Sequence, residues 1–360
     1  MTVLITIASV LFAVLLFSIV VFVHELGHFM AAKASGVQVN EFAIFMGPAI
    51  FKKQKGETLY SIRSIPLGGY CAMEGEDEDT DNPRSFQKAA WWKRLIILVA
   101  GSFMNLLIGF VLLLIVFSFR GNPQLPVIDY VETGCTVVRE GGLQAGDELW
   151  KIDGYRAYTV ADAMLLFSFE SPTHDIVVKR NGQKLVFDDY QMDKHEFVDA
   201  ETGETAIRYG FGFAYEKNGV GNLLAYTWDN SCSVVQSVFL SLKMLVTGQA
   251  GLQDMAGPVK ITQMMSESAM ASGTMGRAIL NMLYFGGFIA INLCVMNLLP
   301  IPALDGGRCV GLLLTTGIEK ITKKKLNPKY EGYVHGVGMV LLFGLMAVIL
   351  FNDVIGIFKR

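Results

Sequence analysis

Charged side chains are scarce in this chain. Asp, Glu, Lys and Arg make up 18% of its 360 residues and hydrophobic residues 52%, whereas soluble domains carry roughly 25% charged residues. The deficit is concentrated in a few long segments, which argues against a purely soluble protein and predicts a polytopic membrane protein. No Lys or Arg precedes Lys33. Because a cleaved signal peptide begins with a basic region, we expect the first apolar run to remain as a membrane span.

Cysteine is also rare, and it follows no metal-ligand spacing. The five cysteines are distributed on both sides of the predicted membrane and within it: Cys71, Cys135, Cys232, Cys294 and Cys309. Only Cys135 and Cys232 share the predicted extracytoplasmic side, and two isolated cysteines are more often small apolar side chains than a disulfide. The sequence also lacks a basic patch interleaved with aromatic residues, so nucleic acid is not an expected partner.

Four long apolar runs are present instead. They predict four transmembrane helices, at Val3–Val23, Leu95–Phe119, Ile279–Leu299 and Val334–Phe351. The first run would form a helix about 31 Å long, enough to cross a hydrocarbon core of roughly 30 Å. Nine Lys or Arg lie between Phe29 and Arg94, and six lie between Arg308 and Gly332. This asymmetry predicts that both loops are cytosolic and that the segment from Arg120 to Gly276 is extracytoplasmic.

The sequence His24-Glu25-Leu-Gly-His28 lies where the first apolar run ends. Residues four apart share one face of a helix, so His24 and His28 can direct their imidazoles at one metal ion with Glu25 beside them. This is the arrangement of zinc hydrolases, in which the Glu serves as general base. Ionisable side chains at a membrane helix are costly unless they bind metal, pair or face water, which favours a functional role here.

A catalytic zinc site needs a third protein ligand, because water takes the open position. His174 and His195 lie in the predicted extracytoplasmic segment. Asp305 is the best candidate, since it follows the third apolar run in Asn297-Leu-Leu-Pro-Ile-Pro-Ala-Leu-Asp-Gly-Gly307. The first and third predicted spans both run from outside the cytosol to inside. They therefore bring His24, His28 and Asp305 to the cytosolic side of the membrane. The alternative role for Asp305 is a helix N-cap.

Two further segments suggest where a peptide could bind. Strand-like runs at Glu41–Phe45, Thr58–Ile65 and Gly69–Met73 predict a small β-meander, which is either an ordinary hairpin or an edge that pairs with an extended substrate. Between 121 and 220, a Gly-Asp turn, a strand ending in Asp-Gly, a helix and an Asn-Gly hairpin follow in order. This order resembles a bacterial PDZ domain, a module that binds extended peptides at a sheet edge.

In the second span, Gly101 and Asn105 lie one turn apart on one helix face. A small residue beside an amide is typical of close helix packing with an interhelical hydrogen bond. The alternative is that Asn105 lies near the metal and donates to an oxyanion. The residues alone favour packing.

Taken together, these motifs resemble the site-2 protease family of intramembrane zinc metalloproteases, in particular its bacterial members that regulate sigma factors. The resemblance implies Zn²⁺ held by His24, His28 and Asp305, with Glu25 as the catalytic residue. It also implies that the loop at Phe42–Met73 re-enters the membrane as β-strands. The residues it assigns to substrate or oxyanion binding are Asn297, Asn105, Gly68, Gly69 and Tyr70.

The resemblance predicts a polytopic α-helical membrane protein with about four transmembrane helices, a small β-meander loop and an inserted α/β PDZ domain. The expected segments are span 1–30, β-loop and acidic loop 31–94, span 95–120, PDZ domain 121–220, amphipathic interfacial helices 221–276, span 277–308, basic cytosolic loop 309–332 and span 333–358.

The expected function is cleavage of transmembrane segments in a bacterial cytoplasmic membrane, with anti-sigma factors or remnant signal peptides as substrates. The expected partners are these substrates, membrane lipid and an extracytoplasmic peptide at the PDZ domain. Two alternatives remain: a non-catalytic scaffold whose PDZ domain captures protein tails, and a membrane-anchored hydrolase of soluble substrates.

Overall fold

Eight helices and ten strands make up the part of the chain that the structure describes. The computed structural model describes residues 2–76, 80–132, 135, 141–169, 171, 173–198, 205–217, 219–251, 255, 257–323 and 329–358. The chain divides into two compact units, one formed by Met1–Val116 with Ser237–Arg360 and the other by Phe117–Gln236.

The first unit is mainly helical. Its helices, including two shared with the second unit, are α1 (Thr2–Ser35), α2 (Trp91–Arg120), α4 (Val220–Val246), α5 (Pro258–Ala271), α6 (Met275–Leu298), α7 (Asp305–Thr322) and α8 (Lys329–Phe358). Among the described residues, four helical segments are long and apolar enough to cross a membrane: Val10–Ser35, Trp91–Arg120, Met275–Leu298 and Gly332–Gly356. Their number and order are those that the apolar runs predict.

Three details differ from the sequence prediction. Helix α1 continues to Ser35, beyond both the apolar run that ends at Val23 and the expected segment 1–30, so His24 lies near the middle of the candidate span Val10–Ser35. The segment predicted as a basic loop begins as helix α7, because apolar residues recur on one of its faces. Of the amphipathic helices expected at 221–276, the first begins one residue earlier, at Val220, and is a single helix of 27 residues, α4.

Two long strands, β1 (Val39–Lys55) and β2 (Thr58–Met73), form a folded-over hairpin. Phe42 faces Cys71 on one side and Tyr60 on the other, while Tyr60 also faces Lys53. The hairpin is therefore a four-segment sheet with the order 49–55, 58–63, 39–44 and 69–73, in which 39–44 runs parallel to 58–63 and the two outer pairs are antiparallel. The strand breaks coincide with Gly47 and Gly68, both in the left-handed region at φ 81° and 77°, which glycine adopts at no steric cost. The segment 69–73 forms one edge of this sheet.

Buried side chains from this hairpin, from the ends of α1 and α2 and from α7 form one hydrophobic cluster. Its members include Ala32, Val39, Phe42, Cys71, Phe86, Ile97, Leu98, Cys309 and Leu312. A second cluster joins α1, α5 and α6 through Ala13, Leu16, Met265, Ala269 and Met282. The first cluster fixes the hairpin and α7 against the part of α1 that carries His24 and His28.

The second unit contains the remaining elements: β3 (Gln124–Val131), β4 (Glu148–Ile152), β5 (Tyr155–Arg156), α3 (Val160–Phe167), β6 (Thr173–Arg180), β7 (Gln183–Gln191), β8 (His195–Val198), β9 (Thr205–Arg208) and β10 (Phe211–Tyr215). Its main sheet has the order β10-β3-β4-β6-β7, and β5 pairs with β4.

The predicted turns of this unit are present. Asn181 and Gly182 connect β6 to β7 with positive φ angles of 51° and 80°, the combination that a two-residue type I′ hairpin requires. Asp153 and Gly154, at 50° and 81°, do the same between β4 and β5. Residues 136–140, part of the segment that resembles a PDZ domain, lie outside the described residues. Cys135 and Cys232 are free thiols.

Candidate metal centre

Helix α1 supplies three side chains of the candidate site. His24 and His28 are four residues apart, and their ring centroids lie 4.7 Å from each other. Helix α2 crosses α1 at this level, where a Cβ on Gly27 would lie 2.9 Å from the Cα of Gly101. A Cβ on Gly101 would in turn overlap Nε2 of His28 and lie 2.8 Å from Cε1 of His24. Two glycines thus leave the space that the imidazoles occupy.

Asp305 reaches the histidines from the start of α7, directly after the short loop that follows α6. Ala303 has a φ of 80°, a strained conformation for a residue with a side chain. Gly306 and Gly307 allow the chain to turn back tightly, because a Cβ on either would overlap the backbone of Leu298 or Ile301. Asp305 is the first residue of α7 and Leu304 is its N-cap. Asp305 therefore does not have the N-cap position that was its alternative role.

The three side chains form a nearly equilateral triangle of ligand atoms. Nε2 of His24 lies 3.1 Å from Nε2 of His28 and 3.2 Å from Oδ2 of Asp305. Nε2 of His28 lies 3.4 Å from the same oxygen. A tetrahedron with bonds of about 2.0–2.1 Å, the Zn–N distance, has edges of about 3.3 Å. The donor set and its spacing therefore fit zinc with one coordination position left for water.

This cluster is enclosed by protein. The side chains of His24, His28 and Asp305 are 12%, 9% and 19% exposed. Oδ2 of Asp305 is buried and makes no hydrogen bond of good geometry with the described residues, although the two Nε2 atoms lie within 3.4 Å of it. Burial of a carboxylate oxygen that lacks a well-formed hydrogen bond is costly. A cation shared with both imidazoles would compensate that cost.

The outer nitrogens of the two imidazoles meet different partners. Nδ1 of His28 lies 2.8 Å from the backbone oxygen of Ile97. Nδ1 of His24 faces the side-chain amides of Asn105 at 3.3 Å and Asn297 at 3.5 Å. The structure thus brings both asparagines to the same histidine.

Glu25 lies against the β-hairpin. A Cβ on Gly69 would approach Cγ of Glu25 to 3.4 Å and the backbone oxygen of Ala43 to 3.0 Å. The edge segment 69–73 consequently begins beside Glu25, and the absence of a side chain on Gly69 allows that approach.

Tyr70, by contrast, is engaged within the hairpin. The guanidinium of Arg63 lies 5.0 Å from the centre of its ring and also pairs with Glu41 at 2.8 Å. Burial and a hydrogen bond with Glu41 raise the pKa of Tyr70 to about 12. Although burial opposes it, hydrogen bonds from Ser61, Arg63 and Tyr70 lower the pKa of Glu41. The Tyr70 hydroxyl is therefore committed to this network.

Sequence reasoning did not identify Gly27 or the carbonyl of Ile97. The spacing of His24, Glu25 and His28 carries no information about α2, the helix that packs against them. Any residue type can supply a backbone carbonyl, so the sequence does not identify Ile97 either. Gly27 could have been found from its place inside the motif, where a small residue permits close helix crossing.

We expect Gly101→Ala to weaken zinc binding by about 10–100-fold or more, the range seen when support of a ligand is lost. The added methyl group would occupy the position of Nε2 of His28 and crowd His24. Zinc content of the purified protein, titrated against a chelator, measures the change. Gly336→Ala is a matched control, because a Cβ there meets no atom within 4 Å. Equal zinc affinity in the Gly101→Ala variant and the parent would contradict the packing described above.

Comparison with known proteins gives a consistent result. The sequence profile of peptidase family M50 matches residues 12–345. A protein of Clostridium perfringens named as a zinc metalloprotease is 34% identical over 96% of this chain and 98% of its own length. One from Clostridium acetobutylicum with the same type of name is 35% identical over 96% and 97%. The regulator of sigma-W protease of Bacillus subtilis is 28% identical over 96% and 98%.

These findings and the four candidate spans define a multi-pass membrane protein that is a zinc metalloprotease. The chain belongs to peptidase family M50, the site-2 proteases. The cofactor of this class is zinc. The match over nearly the whole chain favours the enzyme over the non-catalytic scaffold.

Proposed function

We propose that this protein is an intramembrane endopeptidase in which His24, His28 and Asp305 hold zinc and Glu25 is the general base. The observation that carries the proposal is the triangle of Nε2, Nε2 and Oδ2 atoms, 3.1–3.4 Å apart. Its two histidines lie within the candidate span Val10–Ser35. A structural zinc site fills all four positions with protein ligands, whereas three ligands and a free Glu are typical of a catalytic site.

The reaction is hydrolysis of a peptide bond. When bound, zinc supplies Lewis-acid activation of water and of the scissile carbonyl. Glu25, adjacent to the triangle on α1, accepts the proton of the attacking water and transfers it to the leaving amine. The enclosure of the site, with ligand side chains no more than 19% exposed, excludes bulk water and strengthens these electrostatic interactions.

We infer different roles for the two asparagines. With its Nε2 committed to zinc, the imidazole of His24 carries its proton on Nδ1 and needs a hydrogen-bond acceptor there. The Oδ1 atom of Asn105 is buried without a hydrogen-bond partner among the described residues, while Nδ2 faces Nδ1 of His24. A half-turn of this amide would satisfy both groups. Asn105 then orients His24, and Asn297 remains to bind the substrate backbone or the oxyanion.

Substitution separates these roles. We expect Asn105→Leu to lower zinc affinity by about 10–100-fold, because Nδ1 of His24 would lose its acceptor, and Asn105→Asp to restore it. Asn297→Leu should leave zinc affinity unchanged and lower the cleavage rate. Chelator competition measures the first effect and steady-state cleavage the second. If Asn297→Leu were the variant that lost zinc, the assignments would have to be exchanged.

The β-hairpin is the proposed substrate clamp. The edge segment 69–73 begins beside Glu25 and pairs on one side with 41–44. A substrate unwound into an extended strand can add to such an edge, since main-chain hydrogen bonds hold a peptide regardless of its side chains. We assign substrate binding to the backbone groups of Gly68, Gly69 and Tyr70 and not to their side chains. Re-entry of residues 42–73 into the membrane is part of the same proposal, and exposed Ile50, Phe51 and Met46 support it.

The second unit is the proposed PDZ domain, on the extracytoplasmic side of a bacterial cytoplasmic membrane. Its strand order and its two type I′ turns support this assignment. The excess of Lys and Arg in 29–94 and 308–332 supports the orientation. The amphipathic helices proposed for 221–276 correspond to α4 and α5. A peptide at this domain is the expected second partner.

Proposed substrates are membrane-embedded anti-sigma factors or remnant signal peptides. The name of the Bacillus subtilis relative, a regulator of sigma-W protease, supports the first class. Membrane proteomics of cells that carry the parent or Glu25→Gln tests the proposal. We expect fragments with an intact transmembrane segment to accumulate only with the variant, and their sequences to identify the class. Identical membrane proteomes would contradict the proposal.

A further inference from the structure

Helix α8 is exposed along most of its length. Among its described residues, only Gly338 and Asp353 are buried, while large apolar side chains between them, such as Val340 and Phe343, are exposed. Lipid is the ordinary surrounding of a helix that is long and apolar enough to cross a membrane. The two buried residues therefore mark where α8 packs most closely against the rest of the first unit.

Gly338 packs directly against the loop that leads to Asp305. A Cβ on Gly338 would overlap Cβ of Pro302 and lie 2.7 Å from the backbone oxygen of the same residue. Gly307 of α7 also approaches Pro302, since a Cβ on Gly307 would lie 3.1 Å from its Cα. Pro302 is therefore packed against both α7 and α8, and a side chain at 338 requires the loop or the helix to shift.

The residue after Pro302 holds a strained backbone conformation. Ala303 has a φ of 80°, in the region where glycine is the usual residue. A conformation of this kind persists only where the surrounding contacts enforce it. Asp305 follows two residues later, and its Oδ2 lies within 3.4 Å of both histidine Nε2 atoms. The contact between Gly338 and Pro302 is thus placed to hold the strained turn and, through it, the carboxylate.

Asp353 fixes the other end of α8. Its carboxylate accepts hydrogen bonds from the backbone N–H groups of Lys260 at 3.0 Å and Gly257 at 3.3 Å. Gly257 is the N-cap of α5 and has no side chain to offer these groups, and lipid cannot satisfy them either. The negative charge also suits the positive end of the α5 dipole. Because α5 packs in turn against α1 and α6, Asp353 ties α8 to the helices that carry His24 and Asn297.

We infer that α8 supports the third zinc ligand, with Gly338 and Asp353 as positioning residues. Asp353 anchors the helix at the start of α5, and Gly338 holds the turn at 302–303 that presents Asp305 to the two histidines. Both residues act through the loop and not on the zinc itself. The inference rests on the ligand set proposed above and adds that the strained turn is stable only while α8 is packed against it.

A methyl group at 338 tests the contact with the loop. Gly338→Ala should lower zinc affinity by about tenfold or more, because Pro302 must move and Asp305 moves with it. Gly344→Ala is the matched control on the same helix, since a Cβ there meets no atom within 4 Å. Both changes are made in the full-length protein with Glu25→Gln, so that chelator competition measures zinc affinity without turnover. Equal affinities of the two variants would overturn the proposal.

The strain at Ala303 allows a double-mutant cycle. Asp353→Leu removes the anchor of α8 and should also lower zinc affinity by about tenfold or more, whereas Phe351→Leu, at an exposed position of the same helix, should not. Glycine adopts a φ of 80° without strain, so Ala303→Gly should make the turn independent of α8. The loss caused by Asp353→Leu should then be much smaller. A loss of the same size with and without Ala303→Gly would overturn the proposal.

Hydrogen exchange of the zinc-free protein separates support of the loop from a general loss of stability. In Asp353→Leu we expect faster exchange at residues 303–308 and at the start of α5, with exchange in the second unit unchanged. Unchanged exchange at 303–308, or faster exchange throughout the chain, would overturn the proposal.

Cleavage assays with Glu25 intact distinguish this inference from the proposed function. A protein that shows these effects on zinc and exchange but cleaves no transmembrane substrate would refute the proposed function and leave the role of α8 intact. Normal cleavage together with unchanged zinc affinity in Gly338→Ala and Asp353→Leu would refute the role of α8 and leave the proposed function intact.

Discussion

Glu25→Gln is expected to lower cleavage of a transmembrane substrate by about 10³-fold, within the range for loss of a general acid–base residue, while zinc remains bound. Glutamine has nearly the same shape, so the packing of Glu25 against Gly69 should persist. The amide cannot accept a proton from water or return one to the leaving amine. The ligands His24, His28 and Asp305 are unchanged, so zinc stoichiometry should equal that of the parent.

Cleavage in vesicles and zinc analysis of the same preparation check this expectation. Glu267→Gln is a suitable control, since Glu267 lies in α5 and its carboxylate pairs with Gln263 of the same helix. A Glu25→Gln variant that cleaves at a rate near that of the parent would show that another group is the base. Loss of zinc in this variant would show that Glu25 is itself a ligand.

Asp305→Ala should abolish activity through loss of zinc. Oδ2 of Asp305 lies within 3.4 Å of both Nε2 atoms, and its removal leaves only two protein ligands, fewer than any catalytic zinc site has. The loss of affinity should exceed the roughly 10–100-fold cost typical of supporting residues. Glu25→Gln and Asp305→Ala are thus both inactive for different reasons, and zinc content distinguishes them.

Chelator titration measures this loss, and Asp188→Ala, an exposed carboxylate of the second unit, is the control. The opposite outcome, full zinc occupancy with reduced activity, would mean that the third ligand lies elsewhere and that Asp305 only positions the histidines. Helical content by circular dichroism should match the parent, because Asp305 lies at the first position of α7 and is not the residue at its N-cap position, which is Leu304.

The sequence predicted which side chains come together at the candidate site, because the relevant signals are local. The i, i+4 spacing places His24 and His28 on one face whatever surrounds them. Asp305 was recognised because charged residues are scarce near the apolar runs. A single carboxylate beside such a run is costly unless it has a function. The four candidate spans were also recognisable from the sequence, because a membrane helix is specified by its own apolar composition.

What the sequence did not reveal depends on contacts between distant segments. The crossing at Gly27 and Gly101 and the carbonyl of Ile97 become visible only when α1 and α2 are side by side. Phe42 pairs with both Cys71 and Tyr60 because the chain reverses near Gly47 and again near Gly68. The alternation of apolar and polar residues in the sequence does not specify these reversals. Helix α7 was not recognised, because the basic residues of its segment, counted for orientation, made the whole segment resemble a loop.

The helix that carries the first apolar run is longer than that run. Hydropathy falls at His24, yet α1 continues to Ser35. His24 and His28 lie in this part of the helix, where they face Asp305. Ionisable site residues thus lower the apolar signal of the helix that carries them.

Cleavage of a single-span substrate by the purified protein in vesicles, with the cut position determined by mass spectrometry, tests the central claim most directly. The proposed function predicts a cut inside the apolar segment, dependent on zinc and absent with Glu25→Gln, and no cleavage of a water-soluble peptide with the substrate's flanking sequence. A cut outside the apolar segment, or equal cleavage of the soluble peptide, would contradict intramembrane proteolysis and favour a membrane-anchored hydrolase of soluble substrates.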